Sequence, residues 1–404
     1  MLDLLRYPLV LLLAAIAPLR AEPVFYKDVL PILQQHCQSC HRKGEIGPMP
    51  LLTWEQARPW AKAIRQAVSL RKMPPWFADP HFGQFANDPS LDPEEIATIQ
   101  NWVDSGARAG LKTDAPPPVN WPEAGVLANP TLVTGMTQPF PIPAKATIPY
   151  QAFVLPVRFT TDTWAAAVEI RPSDRSVVHH AVLYVREPGA TWLDKVPVTA
   201  DILAVYTPGA PVMQAPEGMA KKIPAGSSLI LQMHYTAKKV DAKDRTRIAM
   251  VTSSKRPRYR LLTLQMMKPD LRIPPGERQC RISVSGTLAQ DALLVSMFPH
   301  MHLRGTGFEY QIAGGQGRLE TLLKVNNYDF YWQLSYQLKT PRLLPAGTRL
   351  LFTGYYDNSA ANPRNPDPSA EVTWGEQSWE EMLVGFFDVA VAPDLDKGAY
   401  IVGR

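Results

Sequence analysis

Two histidines one residue apart, His300 and His302, stand beside the strand-like run 292–297, ALLVSM. Side chains at i and i+2 of a strand share a face, so two imidazoles so placed can close on one metal ion. The same pair also serves simply as two polar residues near a strand end. The other histidines weigh on that choice. The chain has eight, and His179, His180 and His234 form two further groups in the same C-terminal region. Three imidazoles from neighbouring strands suit copper and also zinc. His179 and His180 are adjacent, and adjacent residues of a flat strand point to opposite faces. Joint binding therefore requires a local twist or an ion at the strand edge. His300 and His302 lack a third ligand, for which Met382 is the candidate. A thioether beside two imidazoles favours Cu(I) over zinc. Core packing is the alternative role for Met382.

A second chemistry lies near the N-terminus. Cys37-Gln38-Ser39-Cys40-His41 is a C-x-x-C-H motif. It is the pattern in which two thioethers tether a c-type haem and the adjacent histidine ligates the iron. A redox dithiol is the competing reading. The sixth iron ligand is expected to be Met73, in Met73-Pro74-Pro75-Trp76, with Met49 and His81 as competitors. A methionine there raises the reduction potential.

Helices must hold the haem motif. Val24, Phe25, Val29, Ile32 and Leu33 make an apolar stripe leading into Cys37. Thr53-Trp54-Glu55-Gln56 predicts a capped helix through about Leu70. Asp92-Pro93-Glu94-Glu95 opens another that runs through Trp102 to a stop at Gly106. Residues 22–111 thus resemble a small all-α, class I-type cytochrome c domain. Residues 112–149 are rich in proline and predict an extended connection, semi-rigid or laid across a domain surface. From residue 150 onward, short alternating runs between Pro/Gly turns predict β-sandwiches. This region repeats: residues 223–231, IPAGSSLIL, resemble 344–352, LPAGTRLLF, at a shift of 121. The same shift carries His179 onto His300. Two tandem β-sandwich subdomains are expected, 150–267 and 268–404, with ligands on equivalent strands.

Composition bounds the rest. The chain has 404 residues with 46% hydrophobic content, enough for several cores, and 40 prolines that favour turns and strands over long helices. A net charge of +5 without a basic run gives no case for nucleic acid. Residues 1–21 carry an apolar run too short to span a bilayer, and predict a secretory signal cleaved after Ala21, an uncleaved anchor being the alternative. Either way the body is expected to be exported, periplasmic or secreted. No stable membrane span is expected once the signal is removed. Cys280 is left without a partner, so no disulfides are expected.

The ordered set His179-His180, His234, His300-x-His302 and Met382 resembles the copper type II, ascorbate-dependent monooxygenases, the family of the peptide α-hydroxylating and dopamine β-hydroxylating enzymes. The resemblance covers roughly residues 150–404. It implies two jelly-roll subdomains carrying two mononuclear copper sites that face each other across a solvent-filled cleft. The three-His site would store an electron; the His300/His302/Met382 site would bind O2 and hydroxylate a C–H bond of a small organic substrate. Where the peptide-amidating branch has Arg, Asn and Tyr around the second site, this chain has Phe298, Val384 and Phe386. A substrate carboxylate there would lose charge-assisted hydrogen bonds. Glycine-extended peptides are therefore not expected as substrates. The family's disulfide-forming cysteines are also absent. The fused haem is expected to feed electrons to the three-His copper, in place of or beside ascorbate, with an external donor reloading it. The long connection also allows a haem unit that swings between donor and acceptor. The alternative is a non-enzymatic haem–copper electron carrier or copper-binding protein.

Overall fold

The structure is a computed structural model that describes residues 22–121, 127–209, 212–313, 318–395 and 397–400; the expected signal segment, 1–21, lies outside them. The chain is mostly β, preceded by a small helical unit. No described helix is long and apolar enough to cross a membrane.

The helical unit begins with a π-turn, Phe25–Val29, that continues into α1, Leu30–His36. The helix predicted from Thr53 is broken into α2, Trp54–Ala57, and α3, Ala61–Ser69. Pro59 lies in the 3-10 turn between them, because it has no N–H to donate. The third, α4, Pro93–Asp104, starts on a complete capping box: Asp92 accepts from the Glu95 N–H at 2.8 Å, and Glu95 accepts from the Asp92 N–H at 2.9 Å. Phe25 packs on Trp102, closing the two ends of the unit on one core.

The β region repeats one strand order twice. The first copy contains β1, Leu132–Gly135; β2, Gln151–Val154; β3, Thr163–Arg171; β4, Val178–Arg186; β5, Asp201–Tyr206; β6, Met219–Ile223; β7, Ser228–Tyr235; and β8, Arg247–Ser253. The second contains β9, Tyr259–Met267; β10, Cys280–Thr287; β11, Ala292–His300; β12, Gly305–Ala313; β13, Leu319–Val325; β14, Tyr336–Leu344; β15, Arg349–Tyr356; and β16, Val384–Val391. Short two- and three-residue strands flank both. One sheet of the first copy runs β1-β8-β3-β6 and the other β2-β7-β4-β5; the second copy repeats these orders as β9-β16-β11-β14 and β10-β15-β12-β13. This is the double Greek-key order of a jelly roll. Each copy encloses its own apolar core.

The repeated Pro-Ala-Gly marks the β6–β7 turn and its counterpart β14–β15. In both, the residue after Gly donates to the Pro carbonyl, Ser227 to Pro224 at 3.1 Å and Thr348 to Pro345 at 3.0 Å. Gly226 and Gly347 have φ of +81° and +82°, the left-handed value this turn needs at its third position.

Three expectations need correction. The subdomains are not separate sandwiches: β6 pairs parallel with β9 through Tyr259↔Met219 and Arg260↔Ala220, merging one sheet of each copy into a nine-stranded sheet. β9 belongs to the second core, through Leu262, Leu264 and Met266, so the boundary falls before Tyr259 rather than after Met267. The segment 112–149 is more than a connection, since it supplies β1 and buries Met136 and Ile142 in the first core.

The helical unit is docked rather than loosely tethered. Residues 76–87 form a strap along the second jelly roll. Asp79 N–H donates to the Lys324 carbonyl at 2.7 Å, and Ala86 N–H to the Gln337 carbonyl at 2.8 Å. Trp76 and Phe85 pack on Tyr336, with ring centroids 4.7 and 5.6 Å away. On its other side Glu45 pairs with Arg175 of the first jelly roll. The swinging unit allowed by the sequence is not what the fold builds.

Candidate metal centre

His179 and His180 start β4, and His234 lies near the end of the adjacent β7. The strand register slips between Val178 and His180, so His179 occupies a bulge while His180 faces His234 across the ladder. The bulge is the local twist that adjacent histidines required; it turns both rings to one side. One ring nitrogen from each of the three lies within 4.8 Å of the others. His179 Nδ1 and His180 Nδ1 are 3.0 Å apart. Two nitrogens bound side by side to one ion at about 2.0–2.1 Å each stand about 3 Å apart. His234 Nδ1 is buried without a hydrogen-bond partner. A buried ring nitrogen without a partner, on a histidine grouped this closely with two others, fits a metal ligand set.

The second set is built by strand pairing. His300 ends β11 and sits opposite Val384 of β16. That register brings Met382, two residues before Val384, beside the histidine loop. The loop is anchored from three sides. Tyr328 hydroxyl binds both the N–H and the carbonyl of Met301, at 2.9 and 2.7 Å, fixing the residue between the two histidines. Glu381 accepts from the N–H of His302 at 2.8 Å and of Arg304 at 2.6 Å. Arg304 is buried and donates to Asn358 and to the Trp379 carbonyl.

Neighbours assign the tautomers. Gln333 Nε2 donates to the Phe330 carbonyl, so its Oε1 is the acceptor that faces His300 Nδ1 at 2.7 Å. His302 Nδ1 meets the Glu380 carbonyl at 3.2 Å. Both histidines therefore carry hydrogen on Nδ1 and present a bare Nε2. Burial, reinforced by neighbouring imidazoles, lowers His179 and His302 to about 3 and His234 to about 4, so the rings stay neutral and competent to bind metal. His180 and His300 are lowered as well, again by burial first. Burial raises Glu381 to about 7 against its N–H donors.

The two sets meet at one edge of a shared cavity rather than standing wholly apart across it. His180 and His300 have ring centroids 6.3 Å apart. Phe330 stacks on His179 at 4.4 Å and meets His302 edge-on at 6.1 Å. Beside them opens a cavity of about 360 Å³ whose wall includes His180, His300, Met382 and Tyr150. Phe298, Val384 and Phe386 lie on the same wall, so its surface there is apolar.

The 121-residue shift matched the histidines only in part. His234 maps correctly, since β7 and β15 are equivalent at that shift, and Tyr355 takes its place. His179 lies on β4, whose counterpart β12 starts at Gly305; its structural equivalent is Thr306. His300 ends β11, the counterpart of β3, and is equivalent to Arg171. The two pairs flank the same corner of the jelly roll without sharing a strand.

In the helical unit, His41 Nδ1 lies 3.1 Å from the Met49 carbonyl, which leaves Nε2 bare for an iron. Gly47 permits that packing, because a Cβ there would come within 2.7 Å of the His41 ring. Cys37 and Cys40 are free thiols. Burial raises Cys37 to about 12, contrary to the depressed values of redox dithiols. Met73 lines a cavity of about 670 Å³ with Val68, Leu91 and Ile96. Cys37, Cys40 and His41 are not on that wall. Of Met73's competitors, His81 is ion-paired with Asp79 at 2.7 Å and largely exposed, and Met49 packs into the helical core.

Sequence reasoning missed Gln333 and Tyr150, whose hydroxyl lies 3.2 Å from His180 Nε2, and gave Tyr328 and Glu381 no role in holding the histidine loop. No spacing links them to the histidines. Among the aromatic residues of 328–332, Tyr328 is core, Phe330 touches the histidines and Tyr331 is exposed.

No family model matches this chain, and no curated protein matches it. Among solved structures it is similar to the major capsid protein P2 from bacteriophage PM2, at 9% identity and a TM-score of 0.27, over 65% of this chain and 97% of that one. It is also similar to PNGF-II, at 7% identity and a TM-score of 0.32, over 65% of each chain. Likenesses this slight carry no functional argument.

Proposed function

We propose that this chain is an exported, periplasmic or secreted, haem-containing copper monooxygenase that hydroxylates a C–H bond of a small organic substrate with O2. The observation that carries the reading is the cavity of about 360 Å³ that opens directly on His180, His300 and Met382. An electron carrier has no need of such a chamber beside a soft ligand set, which weighs against the non-enzymatic alternative.

The residues divide the work. His179, His180 and His234 would hold one copper; His300, His302 and Met382 would hold the other. Copper bound there supplies one-electron chemistry toward O2, with Met382 favouring the reduced ion. Gln333 and the Glu380 carbonyl engage each Nδ1, which would leave each Nε2 free for the ion. Phe298 and Phe386 present an apolar face to the substrate and exclude water from the reacting C–H bond. In the helical unit, Cys37, Cys40 and His41 would hold a c-type haem in a class I-type cytochrome c arrangement, with Met73 as the sixth ligand. Hydroxylation consumes two electrons beyond those of the C–H bond. A haem fixed on the same chain, itself reduced by an external donor or acting beside ascorbate, is a local source of them.

The decisive measurement is metal analysis with an optical spectrum, and the expected result is one haem c and two coppers per chain. Stoichiometric zinc would overturn the proposal. Met382→Ile is expected to abolish O2-dependent product formation while the three-His copper is retained; unchanged activity would favour the carrier. N-acylglycines are expected to give no turnover, because no cation lines the cavity among the described residues.

A further inference from the structure

We propose that His179, His180, His234, His300 and His302 form a single dinuclear metal centre, holding two ions close enough to interact directly, rather than two independent mononuclear sites. The identity of the ions rests on the copper reading above; their proximity rests on geometry alone.

The first argument is ring contact. Aromatic side chains in contact have centroids about 4.5–7 Å apart. His180 and His300, one from each set, are 6.3 Å apart with planes at 79°. Phe330 fills the remaining gap, stacked on His179 and edge-on to His302. At this edge the two sets are in ring contact, with the cavity opening to one side.

The second argument is that the approach is built into the frame. The β6–β9 pairing joins the jelly rolls into one sheet. Thr207, just after β5, donates to the Gln333 carbonyl at 2.7 Å. The same Gln333 holds the His300 ring from the second jelly roll. One residue thus ties the first copy to a ligand of the second. The tautomers agree with this geometry, since Gln333 occupies His300 Nδ1 and leaves Nε2 as the metal-facing atom.

The consequence is chemical. Histidines so placed would hold two ions near enough to exchange an electron over a short path between His180 and His300.

The test is electron paramagnetic resonance on the oxidised full-length protein loaded with copper, with copper per chain counted independently. With two Cu(II) bound, the expected spectrum shows fewer spins than coppers, or a half-field transition. His302→Ala, which leaves the three-His set intact, is expected to return an ordinary isolated signal with one spin per copper. Two superposed isolated signals that account for all the copper would overturn the proposal, as would a limit of one ion per chain in the unaltered protein. Native zinc in place of copper would refute the functional reading alone. Proximity would then be tested by replacing zinc with Co(II), where uncoupled magnetic behaviour would overturn it.

Discussion

Replacing Glu381 with alanine is expected to empty the His300/His302/Met382 site while leaving the three-His site loaded. This carboxylate is fully buried and accepts from the N–H groups of His302, Arg304 and, at 3.2 Å, Met382. It clasps the histidine loop to the segment carrying the methionine. Alanine leaves those donors buried and unmet, at about 1–3 kcal/mol each. A total loss of about 3–5 kcal/mol is expected in chemical denaturation, with metal content per chain falling from two ions to one. Glu381→Gln keeps one acceptor oxygen and should lose less of both. A stable Glu381→Ala protein with full metal content would show that the loop is held by other means.

A chain beginning at residue 127 is expected to have an unstable second jelly roll. The strap 76–87 contributes Trp76, Phe77 and Phe85 to that core, all packed against it. It also satisfies backbone groups beside β13 and β14, and Asn87 donates to the Ser335 carbonyl at 2.8 Å while accepting from the Gln337 N–H at 2.9 Å. Each large apolar side chain buried is worth about 1.5–3 kcal/mol, and each hydrogen bond about 0.5–1.5 kcal/mol. Even with half-exposed side chains the sum is on the order of 5 kcal/mol, comparable to the whole stability of many domains. Denaturation midpoints of the two chains decide the matter; equal midpoints would show that the strap is only laid on the surface. Trp76→Ala in the full chain should reproduce part of the loss, about 2 kcal/mol. The same contacts mean that a haem held on Met73 would sit at a fixed place relative to the jelly rolls.

The sequence by itself determined several things here. Asp92 and Glu95 dictate a helix start through their own side chains, and the helix begins there. The Pro-Ala-Gly repeat marks two equivalent turns because only a residue free to adopt positive φ fits the third position, and that demand is local. The alternation of apolar residues fixed a β fold, and the histidines and Met382 were set apart as candidate ligands by their chemistry and their order in the chain. Tertiary structure decided the rest. Adjacency of His179 and His180 could not reveal the bulge, which depends on how β7 pairs with β4. The 121-residue shift could not distinguish a shared corner from a shared strand, because the connection after β4 is longer than the one after β12 while the β6–β7 and β14–β15 hairpins are equal in length. Gln333, Glu381 and Tyr328 carry no signature, since a side chain that serves by holding another is defined only by where the chain returns. The largest difference lies in the gap between the two ligand sets. Ligand type is a property of residues; the distance between His180 and His300 is a property of two jelly rolls joined edge to edge, and nothing local in either encodes it.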